Sequence, residues 1–303
     1  MTLNAAGAET VVLPPRYANE LKNDDRLSFT SLKAKGMHST LPGFKAVGTL
    51  DQDNRIIQIV AQQDLTRSLP RLTPALSSEC AVALKDVVGD GKEWHDVVVR
   101  RGISLPLVAR LSTLAFMGRE SCYDREWIDI VIDFTVNIML ASVALHAWPR
   151  WLRPLANYFI PECRVLRAQE RRARDIIEEK LAARRKFRDK EADLGSGRET
   201  QASNALDWFH SQHQRLGGQY LPAETQLMLS FGAIHTTADL LTQVILDLAL
   251  HRDLMEPLRR EIVEALDGRP IDKAATQKMK LLDSVMKETQ RLKPMQISES
   301  LAL

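Results

Sequence analysis

Cysteine is scarce in this 303-residue chain: Cys80, Cys122 and Cys163 are the only ones, odd in number and far apart. Such a set does not build a disulfide framework and suits a reducing, intracellular setting. Glycine (14) and proline (13) are too few for the frequent tight turns of an all-β sandwich, and aromatics supply only 6%. Charge of one sign is also lacking. Lys+Arg 41 against Asp+Glu 39 leaves +2, so no global field steers the chain toward nucleic acid. The first residues, MTLNAAGA, have neither the basic flank nor the apolar run of a signal peptide. One long apolar stretch exists, Trp127 to Trp148, yet Asp129, Asp133 and Asn137 interrupt it. Each Asp would cost about 2.5–3.5 kcal/mol near a bilayer centre, so a buried or partly buried helix of a soluble fold is expected. The following WPRWLRP (148–154) mixes indoles with cations, a composition that admits peripheral contact with a membrane surface.

What is present is a globular composition, 45% hydrophobic and 26% charged, long enough to bury a core. Pro14-Pro15 can open a short helix, and Asp24-Asp25 marks a turn. Ile56 to Val60 is short and β-branched, equally readable as strand or helix. Leu65, Leu69, Leu72, Leu76, Val82 and Leu84 recur at helical spacing, interrupted by Pro70 and Pro74. A further helical pattern runs from Trp94 to Met117, where Pro106 is expected to bend or divide it. Arg164 to Glu191 holds eleven Lys/Arg and six Asp/Glu, with Leu166, Ala173, Ile177 and Leu181 as a narrow apolar stripe. That pattern predicts a long, largely solvated helix; its opposing charges support one another at i,i+4 and dilute any nucleic-acid-binding face. The clearest loop, expected to be flexible, spans 192–204. Helical patterns follow at Ala205–Arg215, Pro222–Leu250, Asp253–Leu266 and Thr276–Leu292, the second apolar on most faces and so central to the fold.

Chemistry has few places to reside. Within the central helix, Gly232 and Ala233 precede His235, Thr236 and Thr237. Small residues let another object approach the backbone, and threonine hydroxyls either satisfy the preceding turn or line a polar notch. Near the end of the last helix, Glu288 and Arg291 stand three apart on one face, able to pair through two hydrogen bonds. His210 and His213 form an i,i+3 pair without a third ligand, so no metal site is expected. No phosphate loop, nucleophile elbow or paired acidic motif occurs.

Taken together and in this order, these features resemble a cytochrome P450, a haem-thiolate monooxygenase. MLSFGAIHTTADLLTQVILDLALHRDLMEPLRREI is similar to fungal members that oxidise terpenoids and other secondary metabolites, such as the ent-kaurene-oxidase-like group. PPRYANELKNDDRLSF and FMGRESCYDREWI look like early parts of the same group, so the likeness runs from about Val11 to Pro294. It implies a mainly α, partial P450-like fold with little β structure, a single incomplete domain over 1–303. It also implies a haem cofactor, a small apolar substrate, a P450 reductase as partner, and usual attachment to the endoplasmic reticulum. By resemblance, Thr236 falls on the threonine that orients and protonates dioxygen, with His235 beside it. Glu288 and Arg291 fall on the structural pair of the haem-proximal core, and Gly232, Ala233 and Thr237 on the substrate and oxygen notch.

The sequence departs from the family pattern in three ways. His235 stands where an acid is usual, and Ala233 where the second small residue is usually Gly. More important, the Phe-x-x-Gly-x-Arg-x-Cys-x-Gly loop that binds the iron is not found after Glu288. Phe116-Met-Gly118-Arg-Glu-Ser-Cys122 imitates it only in part and on the wrong side of the central helix. His235 as an iron ligand would occupy the oxygen side. The expectation is therefore a monooxygenase-type chain that is incomplete and inactive on its own, without the amino-terminal anchor or first strands, and cytoplasmic or peripheral. The alternative is a non-catalytic remnant, or a helical protein that binds an apolar ligand or partner.

Overall fold

In the computed structural model, residues 2–5, 8–11, 13–21, 24, 27–52, 55–91, 96–193 and 204–294 are described. The chain is mainly α. Strands β1 (Thr2–Ala5) and β2 (Ala8–Val11) form a short antiparallel hairpin with Thr2 opposite Val11. The principal helices are α1 (Phe29–Gly36), α2 (Thr66–Val88), α3 (Leu105–Met117), α4 (Arg125–His146), α5 (Arg153–Phe159) and α6 (Pro161–Asp193). After them come α7 (Ala205–Leu216), α8 (Pro222–Leu250), α9 (Met255–Leu266), α10 (Lys273–Lys278) and α11 (Lys280–Leu292).

Short polar side chains start several of these helices by accepting a bond from an otherwise unpaired backbone N–H. Asp124 caps α4 through Trp127 N at 3.2 Å, and Asp272 caps α10 through Ala275 N at 2.7 Å. Asn204 and Asp207 form a reciprocal capping box on α7. Pro106 and Pro222 sit in first turns, where a missing N–H costs nothing.

The core is one continuous apolar cluster around α8. Trp127, Phe134, Ile138 and Leu145 of α4, Leu166 and Ile177 of α6, Leu206 and Phe209 of α7, and Leu227 and Ile234 of α8 are all essentially inaccessible to water. Arg125–His146 and Pro222–Leu250 are long and apolar enough to cross a membrane by length and composition, but each buries one face in this cluster. The expected stripe of α6 is found at Leu166, Ala173 and Ile177, with Leu181 packed at its edge. Glu170 joins that buried face, where Gly43 N (3.0 Å) and Arg174 (3.1 Å) meet its carboxylate. Arg174 continues to buried Glu224 of α8 at 2.6 Å. Gly43 has φ +93°, and a Cβ there would lie 3.0 Å from Arg167 Cγ, so the close approach requires glycine.

One open reading closes and three expectations change, one of them in part. Ile56–Ile59 is helix and runs through a wide turn at Val60–Leu65 into α2. Pro70 and Pro74 do not break α2, because both lie on its solvent side and the carbonyls they free can reach water. The expected stripe holds at Leu65, Leu72 and Leu76, which pack against the core, and fails at its other three positions. Leu69, Val82 and Leu84 are exposed, while Glu79 and Ala83 are buried, Glu79 being held by Arg110 Nε at 2.6 Å and Tyr123 Oη at 2.8 Å. The pattern from Trp94 to Met117 becomes helical at Val99, and Pro106 starts α3 rather than dividing it; Trp94 itself lies outside the described residues. Most of the 192–204 loop also lies outside them.

Candidate functional site

Helix α8 presents two chemically different faces at its middle. Ile234, His235 and Ala238 point into the core, whereas Gly232, Thr236 and Thr237 are exposed. Helix α11 lies against the carboxy-terminal half of α8, and two side chains from other elements place it there. Glu261 of α9 accepts from Leu281 N (2.6 Å) and Leu282 N (3.0 Å), satisfying two N–H groups of the first turn of α11. Asp247 of α8 accepts from the Thr289 hydroxyl (2.8 Å) and Lys293 Nζ (2.7 Å) at the other end. Those two bonds hold the Asp247 carboxyl below its usual range.

Between the helices lies a hollow of about 640 Å³. Thr236, Thr237, Asp239, Leu240 and Gln243 line one wall, and Thr289, Gln290, Lys293 and Pro294 the other. Beside Gly232 a Cβ would meet nothing within 4 Å, so the helix surface next to Thr236 is open. The Thr236 hydroxyl donates to Gly232 O at 2.8 Å, which leaves its oxygen lone pairs for an acceptor role in the hollow. Glu288 and Arg291 pair through two bonds, Nε to Oε2 at 2.7 Å and Nη2 to Oε1 at 2.6 Å. Arg291 keeps the Glu288 carboxyl below its usual range. Both are exposed and stand on the helix that walls the hollow, but neither lines it.

His235 faces away from the hollow. Its Nε2 lies 2.9 Å from Ile132 O on α4, and its Nδ1 lies 3.2 Å from Arg100 Nη2. Burial, ahead of every other influence, lowers its pKa. Arg100 also bonds Asp239 Oδ1 at 2.5 Å. Arg100 and Asp239 escaped the sequence reading; the available signal for Asp239 was an acid three residues after Thr236, on the same face.

No cysteine lines the hollow. The Cys122 thiol donates to Arg119 O (3.1 Å) and the Cys163 thiol approaches Ala141 O (3.9 Å). Burial pushes both thiols up, Cys163 to about 11, so neither is a ready thiolate. His210 lies beside Gln214, and His213 stacks on Tyr220 at 5.3 Å. Among the described residues no group of three or more His, Cys, Asp or Glu could hold a metal. Arg67 and Arg71 are exposed on α2. Neither cysteine nor histidine stands among the residues that line the hollow, so its lining offers a haem iron no thiolate or imidazole.

Comparison with known proteins gives the same direction. The sequence profile of the family Cytochrome P450 matches residues 93–299. Cytochrome P450 monooxygenase 1 of Gibberella fujikuroi is 38% identical over 290 residues, 96% of this chain and 65% of that protein. Cytochrome P450 monooxygenase hepE of Aspergillus oryzae is 42% identical over 289 residues, 95% of this chain and 52% of that protein. Cytochrome P450 monooxygenase TRI1 of Fusarium sporotrichioides is 36% identical over 305 residues, 100% of this chain and 54% of that protein. The chain spans between 52% and 65% of the length of these relatives. It belongs to the cytochrome P450 family.

Proposed function

We propose that this member of the cytochrome P450 family forms the substrate and oxygen side of a monooxygenase acting on an apolar, terpenoid-like secondary metabolite. The observation that carries the reading is the hollow between α8 and α11, with Thr236 and Thr237 on its wall. When bound, haem supplies the family's oxidising chemistry, favoured by a thiolate ligand. This chain's own part is to shape and wet the site. Leu240 offers apolar surface, the face beside Gly232 one turn before Thr236 is open, and Thr236 Oγ1 can take a hydrogen bond while its proton points to Gly232 O. Seven of the nine lining residues are polar, but their carbon atoms with those of Leu240 and Pro294 make most of the exposed lining, which leaves apolar surface for a small hydrophobic ligand among polar anchors. Glu288 and Arg291 are assigned a structural role on α11, and a P450 reductase is the expected electron donor.

The placement of the three cysteines favours a second reading for the 303 residues taken alone: a helical protein that binds an apolar ligand without catalysis. The two separate in one experiment. The chain is expressed with haem supplied, reduced, exposed to carbon monoxide, and its Soret band recorded. A thiolate-type red-shifted band would overturn the statement that no ligand is in place. The expected result is no such band from these residues, together with saturable binding of a terpenoid hydrocarbon that Thr237→Trp, which fills the hollow from its wall, weakens at least fivefold. Unchanged binding in that variant counts against the hollow as the ligand site.

A further inference from the structure

The acid that the family usually carries before its threonine is here His235, and the surroundings of that imidazole decide what it can do. Ile132 O is a carbonyl and only accepts, so Nε2 carries the proton and donates across 2.9 Å to α4. Arg100 Nη2 only donates, so Nδ1 is bare and accepts at 3.2 Å. The two partners together fix one neutral tautomer, and a second proton on Nδ1 would face a guanidinium.

Arg100 comes from the Val99–Ser104 turn that leads into α3, and it does not stop at His235. Its Nε bonds Asp239 Oδ1, one turn further along α8 and on the wall of the hollow. A few residues on, the hydroxyls of Ser104 and Thr242 lie 2.8 Å apart and stitch the same turn to the same helix. The guanidinium thus grips α8 on both sides of Thr236, and through His235 it also reaches the backbone of α4.

Resting on the monooxygenase reading, we infer that Arg100 is a positioning residue that locks His235 as a neutral strut between α8 and α4, so that His235 does not supply protons beside Thr236. Asp239 is then the acid that faces the hollow. Charged groups near His235 are Arg100 from the turn, Asp239 on its own helix and Asp133 on α4; the first opposes its protonation and the two carboxylates favour it. Loss of Arg100 therefore removes a charge that opposes imidazolium and the donor that occupies Nδ1.

The test uses the full chain with ¹⁵N-labelled histidine, His235 being assigned by the signal missing from His235→Gln. The nitrogen shifts should report the Nε2–H tautomer in the neutral form and a titration below the ordinary histidine range. Arg100→Met should move that titration upward and mix the tautomers. Arg100→Lys keeps the charge but cannot bridge His235 and Asp239; it should mix the tautomers even if Arg100→Met fails to fold. An Nδ1–H form in the unsubstituted chain would overturn the inference. So would a folded Arg100 variant with the same tautomer and titration. No haem takes part in these measurements, so the carbon monoxide experiment can fail while the strut survives, and the reverse.

Discussion

His38 shows how one side chain can make stability depend on pH. It sits just past α1 in a left-handed conformation (φ 54°) and is 8% exposed. Its ring meets Phe44 edge-on at 5.9 Å and the His146 ring at 4.5 Å. His146 Nδ1 lies 2.7 Å from Ser142 O, a carbonyl, so that nitrogen carries a proton and donates. Burial first, then His146 and Arg153, lowers the His38 pKa to about 4. A histidine depressed in the folded state binds a proton more readily unfolded. Its contribution is complete above the unfolded value near 6.5 and is lost as pH falls through 4. The loss amounts to roughly 3 kcal/mol at most. His235, lowered in the same direction, adds to it. Denaturant unfolding at pH 7 and pH 4.5 should show the fall. His38→Asn, which tolerates the left-handed backbone, should reduce the difference between the two conditions. An equal difference in variant and parent would remove His38 from the explanation.

Among the elements, α11 depends on groups contributed from outside it. Thr289 is its one buried residue, so apolar packing alone holds it weakly. Glu261 receives both Leu281 N and Leu282 N. Glu261→Ala should lower stability by about 1–2 kcal/mol, the usual loss for a cap and its charge-assisted bonds. Protection of α11 amides from hydrogen exchange should fall with it, and a change below about 0.3 kcal/mol with unaltered protection would refute the cap. This also explains what was legible beforehand. Local signals were readable: the apolar pattern from Pro222 to Leu250 gives the bounds of α8, and the 3.6-residue spacing of Leu166, Ala173 and Ile177 gives the buried face of α6. Pairings between distant residues were not. Glu79 meets Arg110 thirty-one residues away, and Arg100 meets Asp239 across 139. An apolar-periodicity reading assigns a lone acid to solvent, so it found Leu72 and Leu76 on the buried face of α2 but missed that Glu79 and Ala83 continue it. The positions Thr236, Glu288 and Arg291 came from family likeness; the hollow that α8 shares with α11 required coordinates.

For the molecule as a whole, the apolar surface that bears on its partners is formed by the end of α4, the 147–152 turn and α5. Val143 (69% exposed), Trp151 (78%), Leu155 (59%) and Phe159 (73%) point outward there. Tyr158 is held by the Arg167 guanidinium 5.1 Å from its ring. Arg150 and Arg164 are exposed close by in sequence, while Asp129 and Asp133 lie toward the other end of α4, so acidic residues are absent from 147–159. Aromatic rings beside arginines suit a headgroup boundary, where the rings enter the acyl edge and the cations meet anionic lipid. Peripheral membrane contact, expected from WPRWLRP, is therefore proposed for this face rather than for a spanning helix, because the opposite face of α4 is committed to the core. The chain should float with vesicles that contain anionic lipid. Trp151→Ser with Phe159→Ser should lower the bound fraction at least fivefold, since each removes a large exposed apolar group without touching the core. Raising salt to 0.5 M should weaken binding in part, through the arginines alone. Retention of full binding by the double variant would move the contact elsewhere, and binding abolished by salt alone would make it electrostatic rather than interfacial.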